Sequence, residues 1–224
     1  GEVTMQGRYI RNQDYTMLMG QRRQYGYQVY HYLNGDGAPW GLSFNLTRRV
    51  PPGDTNTTHK ARLLADKRFR QALSLAVDRQ AIVDALYAGM AEPHQIGSVP
   101  PSPFAYDDFT DPYGRFDPER ANELLDACGL TARDADGYRC FPGGPPLLFD
   151  MNYCSFTGEG PGEFIVDDWR RVGIKARMRP QERSIFYVEK SAGLHDISVW
   201  GAYGSFNPLL EPRYYIPYSS ESNY

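Results

Sequence analysis

The sequence predicts an α/β fold, a mixed sheet flanked by helices. Three observations carry this. Runs with strand alternation and runs with helical spacing interleave along the chain. Two helices have full start and stop signals, Asp78 to Gly89 and Asp117 to Gly129. The composition, 41% hydrophobic and 23% charged over 224 residues, fits an ordinary globular protein of one or two domains.

Element by element, M-L-M at Met17 to Met19 marks a short helix. Y-G-Y-Q-V-Y-H-Y-L (residues 25–33) is rich in strand formers and ends at a turn signal, N-G-D-G. In W-G-L-S-F-N-L (residues 40–46), Leu42, Phe44 and Leu46 alternate with polar residues, as in a half-buried strand. Residues 48–59 read as a polar loop. In D-K-R-F-R-Q-A-L-S-L-A, Phe69, Leu73 and Ala76 recur at helical spacing, and Asp78 then caps a second helix that closes at Gly89. The proline-rich passage 91–116 is long for a connection, so it is expected to be functional or to wrap the surface. Asp117 caps the next helix, with Pro118 in its first turn and Ala121, Leu124, Leu125 and Cys128 on its buried stripe. Turns follow, then the strand L-L-F-D-M-N-Y. A helix over Glu163 to Val172 places Ile165, Trp169 and Val172 on one face, and I-K-A-R-M-R alternates as a strand. R-S-I-F-Y-V-E-K-S-A is a short helix, and D-I-S-V-W the last strand.

Charge and composition exclude several classes. A net charge of −3 without a basic run argues against a nucleic-acid partner. No apolar stretch reaches the length of a membrane-spanning helix. The opening residues read as the middle of a longer polypeptide, a mature domain or an excised fragment. The four histidines lack metal-ligand spacing, and neither a phosphate loop nor a dinucleotide fingerprint occurs, so no cofactor or metal is expected. Cys128 and Cys140 lie twelve positions apart, where a disulfide would imply an oxidising compartment. Three reduced buried thiols, Cys154 included, is the alternative, and the spacing leaves both open.

The aromatic content stands out: 17 Tyr, 11 Phe and 3 Trp. Six of these rings sit on D-I-S-V-W-G-A-Y-G-S-F-N-P-L-L-E-P-R-Y-Y-I-P-Y (residues 196–218), where a strand breaks into a loop punctuated by Gly and Pro. Rings on an irregular segment either fill a core or grip a ligand through flat faces and hydroxyls.

Several segments together resemble the family 5 solute-binding proteins of bacterial ABC importers, the peptide, oligopeptide and nickel-binding type. D-K-R-F-R-Q-A-L-S-L-A-V-D-R-Q-A-I-V-D-A-L-Y-A-G (residues 66–89) is similar to the family's paired-helix signature. F-N-L precedes it, F-D-P-E-R-A-N-E-L-L-D-A-C-G follows, and V-G-I-K-A-R comes later, all in the family order. The resemblance implies a lobe like those of class II periplasmic binding proteins, with residues 1–224 as part of the C-terminal lobe of a two-lobed clamp and the N-terminal lobe outside this chain. It implies a periplasmic protein without catalysis, holding a small peptide or oligosaccharide between lobes and passing it to an ABC permease.

The resemblance also implies the contacts. Trp200 ends the family strand that leads into the cleft, followed by Tyr203, Phe206 and Asn207. In peptide-binding members an Asp three positions after that Trp receives the peptide amino terminus. Here that position is Tyr203, which suits a neutral polar solute, with Glu182 as an acidic substitute. Arg183, Phe186 and Lys190 form a second cleft-facing segment, and Trp40 a third. The opening segment is similar to a subgroup whose ligands include oligosaccharides as well as peptides. A carbohydrate-active enzyme fragment is the competing reading; it requires a carboxylate pair at hydrolytic separation, for which Glu182, Glu189 and Glu211 are the candidates. A module that binds a protein partner through the same rings is a third.

Overall fold

A computed structural model describes residues 4–7, 10–31, 37–93, 98, 100, 102–105, 113–155, 157–203, 207–210, 212 and 216, with backbone alone for 37–39, 202 and 203. A 3-10 turn (Asn12–Asp14) leads into α1 (Tyr15–Tyr25) and then β1 (Gly37–Phe44). Helices α2 (Thr55–Ala65), α3 (Lys67–Leu75), α4 (Arg79–Leu86) and α5 (Pro118–Ala127) follow. A two-stranded hairpin, β2 (Ala132–Arg133) and β3 (Arg139–Cys140), precedes the last unit: β4 (Phe149–Cys154), α6 (Gly162–Arg171), β5 (Ala176–Gln181), α7 (Arg183–Ser191) and β6 (Ile197–Tyr203).

The main sheet has the order β1-β6-β4-β5. β4 pairs in parallel with both β5 and β6, and β1 runs antiparallel along β6. The chain steps from β4 to β5 and then returns across β4 to β6. Right-handed crossovers therefore require α6 and α7 on opposite faces. The packing agrees. Ile165 and Trp169 of α6 join the main core with Phe149, Met151, Tyr153, Ile197 and Val199, whereas Phe186 of α7 lies outside it. The sheet side chains obey the period of two: Phe149 and Met151 face the core, and Asn152 faces α7 through a hydrogen bond to Glu189.

The helices start where short acidic side chains can cap them. Asp54, Asp66, Asp78 and Asp117 accept hydrogen bonds from the backbone N–H groups of Thr57, Arg68, Ala81 and Arg120. Helix α5 closes at Gly129, whose φ of +89° suits a residue without a side chain. The core is tied crosswise. The Trp169 indole donates to the Leu73 carbonyl at 3.0 Å, and the backbone N–H of Asp78 donates to Asp168 at 2.9 Å. Phe69 packs against Phe149 in a tilted pair, centroids 5.3 Å apart.

Two expectations are corrected, and one open alternative is resolved. Of the strand expected at 25–33, residues 25–31 form none: α1 runs through Tyr25, ends at Gly26 with φ +69°, and 27–31 carry no regular element, while 32 and 33 lie outside the described residues. The segment folds back on its own helix. The Tyr27 hydroxyl donates to the Leu18 carbonyl at 2.6 Å, and His31 meets Tyr15 edge-on at 5.0 Å. Residues 48–59 are not all loop, because Asp54 caps a helix that starts at Thr55. Of the two cysteine states left open, the structure has the reduced one: Cys128, Cys140 and Cys154 are free and buried, with no Cys128–Cys140 bridge. The Cys128 thiol instead sits by the Asp66 carboxylate, and burial first, then Asp66, pushes it up to about 11.

Candidate functional site

Parallel strands gather their C-terminal ends on one edge, and in open α/β sheets ligands bind in the crevice outside that edge. Here the edge is made by Cys154 of β4, Gln181 of β5 running directly into Arg183 at the head of α7, and the last residues of β6. Antiparallel β1 starts at the same edge, with Gly37 opposite Tyr203 and Gly41 opposite Trp200.

Trp200 is the centre of an aromatic group on the α7 side. Its ring stacks on Phe186, centroids 5.7 Å apart and planes 25° apart, and meets Tyr187 at 5.7 Å. The Arg183 guanidinium lies 5.9 Å from the Trp200 centroid and 5.8 Å from that of Tyr187, within cation–π reach of both. Phe186 is 2% exposed and holds the group from beneath; Trp200 is half-buried and Arg183 exposed. The edge thus presents two partly open ring faces and a planar cation, able to stack on a flat or apolar ligand group and to donate hydrogen bonds. The neighbouring Glu182 turns back on the helix. Its carboxylate accepts from the Ser184 N–H at 2.8 Å and from the Ser184 hydroxyl, and these bonds hold its pKa below the usual carboxylate value.

Trp40 is brought to the same edge on the side of the main core. Its ring lies against Gly160: a Cβ there would sit 2.8 Å from Cδ1 and Nε1 of the indole, and φ of Gly160 is +48°. The indole nitrogen is buried, with no partner among the described residues. Asn207 is half-buried, and its side-chain oxygen accepts from the Leu209 N–H at 2.9 Å, a local turn bond. For Tyr203 the backbone alone is described, and Phe206 lies outside the described residues, as do Glu211, Tyr214, Tyr215 and Tyr218. Lys190 is set at the far end of α7, close enough to His195 to lower its pKa.

Sequence reasoning missed Tyr187, which closes the ring group, and the polar layer further along the sheet. There Glu189 accepts from Asn152, Gln181 and Arg179 at 2.7 to 3.3 Å. These residues come from three elements and share no local pattern. At the opposite end of β6, Asp196 is 2% exposed and binds Arg48 at 2.9 Å and Lys60 at 2.6 Å. Among the described residues no group of His, Cys, Asp and Glu is arranged to hold a metal ion, and no helix is long and apolar enough to cross a membrane.

Comparison with known proteins gives this edge a context. The family described as bacterial extracellular solute-binding proteins, family 5 Middle, matches residues 5–224. The chain is 34% identical over 146 residues to a di/tripeptide-binding protein of Pseudomonas aeruginosa, covering 65% of this chain and 25% of that protein. It superposes on an oligopeptide-binding protein, OppA, with a TM-score of 0.78 and 32% identity, over 92% of this chain and 32% of that one. A periplasmic binding protein from Agrobacterium fabrum, solved with stachyose, shares the fold at a TM-score of 0.67 and 19% identity, over 85% and 29% of the two chains. The matched region is about a quarter of the length of the curated relative.

Proposed function

The chain belongs to the bacterial extracellular solute-binding proteins of family 5, and from that membership we propose that it forms part of the C-terminal lobe of a two-lobed, periplasmic substrate-binding component of an ABC importer. The solute is a peptide-like molecule or an oligosaccharide, held between the lobes and delivered to the permease. The curated relative that binds di- and tripeptides and the oligopeptide-binding neighbour support the peptide class. The observation that carries the reading for this chain is the group at the C-terminal sheet edge, where Phe186 backs the half-buried Trp200 and Arg183 and Tyr187 flank it.

Trp200, Tyr203, Phe206, Asn207, Arg183 and Trp40 are the proposed contacts. Trp200 and Arg183 lead, because their rings and cation are held together while remaining partly open. Asn207 would contribute through the turn it stabilises, and Trp40 through the wall it builds with Gly160. The mechanism is hinge closure: solute that touches both lobes stabilises the closed state by its differential affinity. No chemical step is required. Of the carboxylates the enzyme reading would call on, Glu182 is committed to Ser184 and Glu189 to Asn152, Gln181 and Arg179, and Glu211 lies outside the described residues.

The test is thermal scanning of the whole two-lobed protein against di- to pentapeptides and oligosaccharides. A solute at about one hundred times its Kd adds about 2.7 kcal/mol of stability. Trp200→Ala should weaken that solute by roughly 30-fold, as removal of a central aromatic contact does, and leave the unliganded fold in place. A panel without any binder, or undiminished affinity in the folded variant, overturns the proposal.

A further inference from the structure

The sheet face beneath α7 is polar where the opposite face is apolar. Asn152 and Ser198 are register partners across β4 and β6, and Gln181 ends β5. Asn152 and Ser198 are each 1% exposed and Gln181 7%. The side-chain nitrogens of Asn152 and Gln181 donate to the same Glu189 oxygen, at 3.0 and 2.7 Å. This fixes the orientation of both amides, because a carbonyl turned toward the carboxylate would be repelled. Asn152 Oδ1, Gln181 Oε1 and Ser198 Oγ are then buried with no partner among the described residues.

Counting hydrogens identifies what must come. The two amide oxygens carry no hydrogen of their own. The Ser198 hydroxyl has one, but its oxygen makes no hydrogen bond to either amide oxygen, so both stay unserved. A species that brings its own O–H or N–H groups is required, since buried acceptors find partners in nearly every protein. Charge selects a neutral one. The Glu189 carboxylate is already matched by the Arg179 guanidinium at 3.3 Å, so a cation would enter without compensation.

We propose that the seam between α7 and the sheet is an internal-water site walled by Asn152, Gln181, Ser198 and Glu189. Water there donates to the two amide oxygens and accepts from the Ser198 hydroxyl. Phe186 is the one buried residue of α7, so the hydrated seam is the second attachment of the helix whose first turns carry Arg183 and Tyr187. The inference is independent of the solute-binding reading.

The experiment is water-to-amide dipolar NMR on the isotopically labelled chain, read at the side-chain NH2 groups of Asn152 and Gln181, with the sign separating resident water from proton exchange. Resident-water cross-peaks are expected at both amides. Ser198→Val fills the seam with methyl groups and should abolish the peak at Asn152 while the dispersed spectrum shows an intact fold. Absence of both peaks in the wild-type chain overturns the proposal, and so does an unchanged Asn152 peak in folded Ser198→Val. Should Ser198→Val fail to fold, the wild-type spectrum decides alone.

Discussion

Replacing His195 by Gln should remove a large part of the acid sensitivity of the fold. The residue is 8% exposed, and its pKa is pushed down to about 4, by burial first and then by Lys190 and Arg48; Asp196 and the Glu189 backbone oppose the shift. Its Nδ1 is buried with no partner among the described residues, so a proton placed there would be a donor without an acceptor. The sign follows from linkage. A histidine whose folded pKa lies below the ordinary 6.5 is neutral in both states above that pH, and its contribution is fully present there. As pH falls from 6.5 toward 4, the unfolded chain takes up a proton that the folded chain refuses, and stability is lost. The full window is worth about 3 kcal/mol, and about 2 kcal/mol of it is gone by about pH 5. Asp168, whose carboxyl burial raises, works in the opposite sense but is common to wild type and variant. Urea unfolding of both proteins at about pH 7.5 and about pH 5 isolates the His195 share; the wild type should lose about 2 kcal/mol more than the variant between them. Equal losses would refute the claim that the buried neutral ring sets this dependence.

Three further outcomes are expected. Gly160→Ala puts a Cβ 2.8 Å from the Trp40 indole at a φ of +48°, and should destabilise by about 1–3 kcal/mol, read as a fall in Tm. Asp196→Ala leaves the Arg48 and Lys60 cations without their shared carboxylate and should cost about 3–5 kcal/mol in chemical unfolding, whereas an exposed pair such as Arg120–Glu123 should contribute less than about 1 kcal/mol. The Cys128 thiol, pushed up to about 11, should react with a disulfide reagent at neutral pH on the order of a hundredfold more slowly than a free thiol. All three cysteines should titrate as thiols once the chain is unfolded.

The sequence disclosed elements whose boundaries are written locally. Asp117, Pro118 and Gly129 bracket α5, and Asp78 opens α4, as their residue types imply. The start of α2 escaped because Thr55, Asn56 and Thr57 are weak helix formers, outweighed by the Asp54 cap and by burial of Leu63 and Leu64. The segment 25–33 misled because strand-favouring Tyr and Val need a neighbouring strand, and this segment meets its own helix instead. Trp200 and Arg183, singled out from the family order of motifs, do meet in one group, but the ring of Tyr187 that joins them there had no such signal. The opposite placement of Trp40 and Trp200 depends on which face each neighbour occupies, something set by the crossovers rather than by spacing. The Glu189 layer is farther still from local pattern, joining β4, β5 and α7.

The Asp196 clamp has a consequence for how such a protein can diversify. The anchorage of β6 lies at the strand's beginning, where Arg48, Lys60 and the Asp150 N–H converge on one carboxylate, while the rings that would face cargo lie at its finish. Foundation and fingertip are therefore separate on the same strand. On the proposed reading, substitutions at the tip would alter what is offered to a solute while leaving that footing in place.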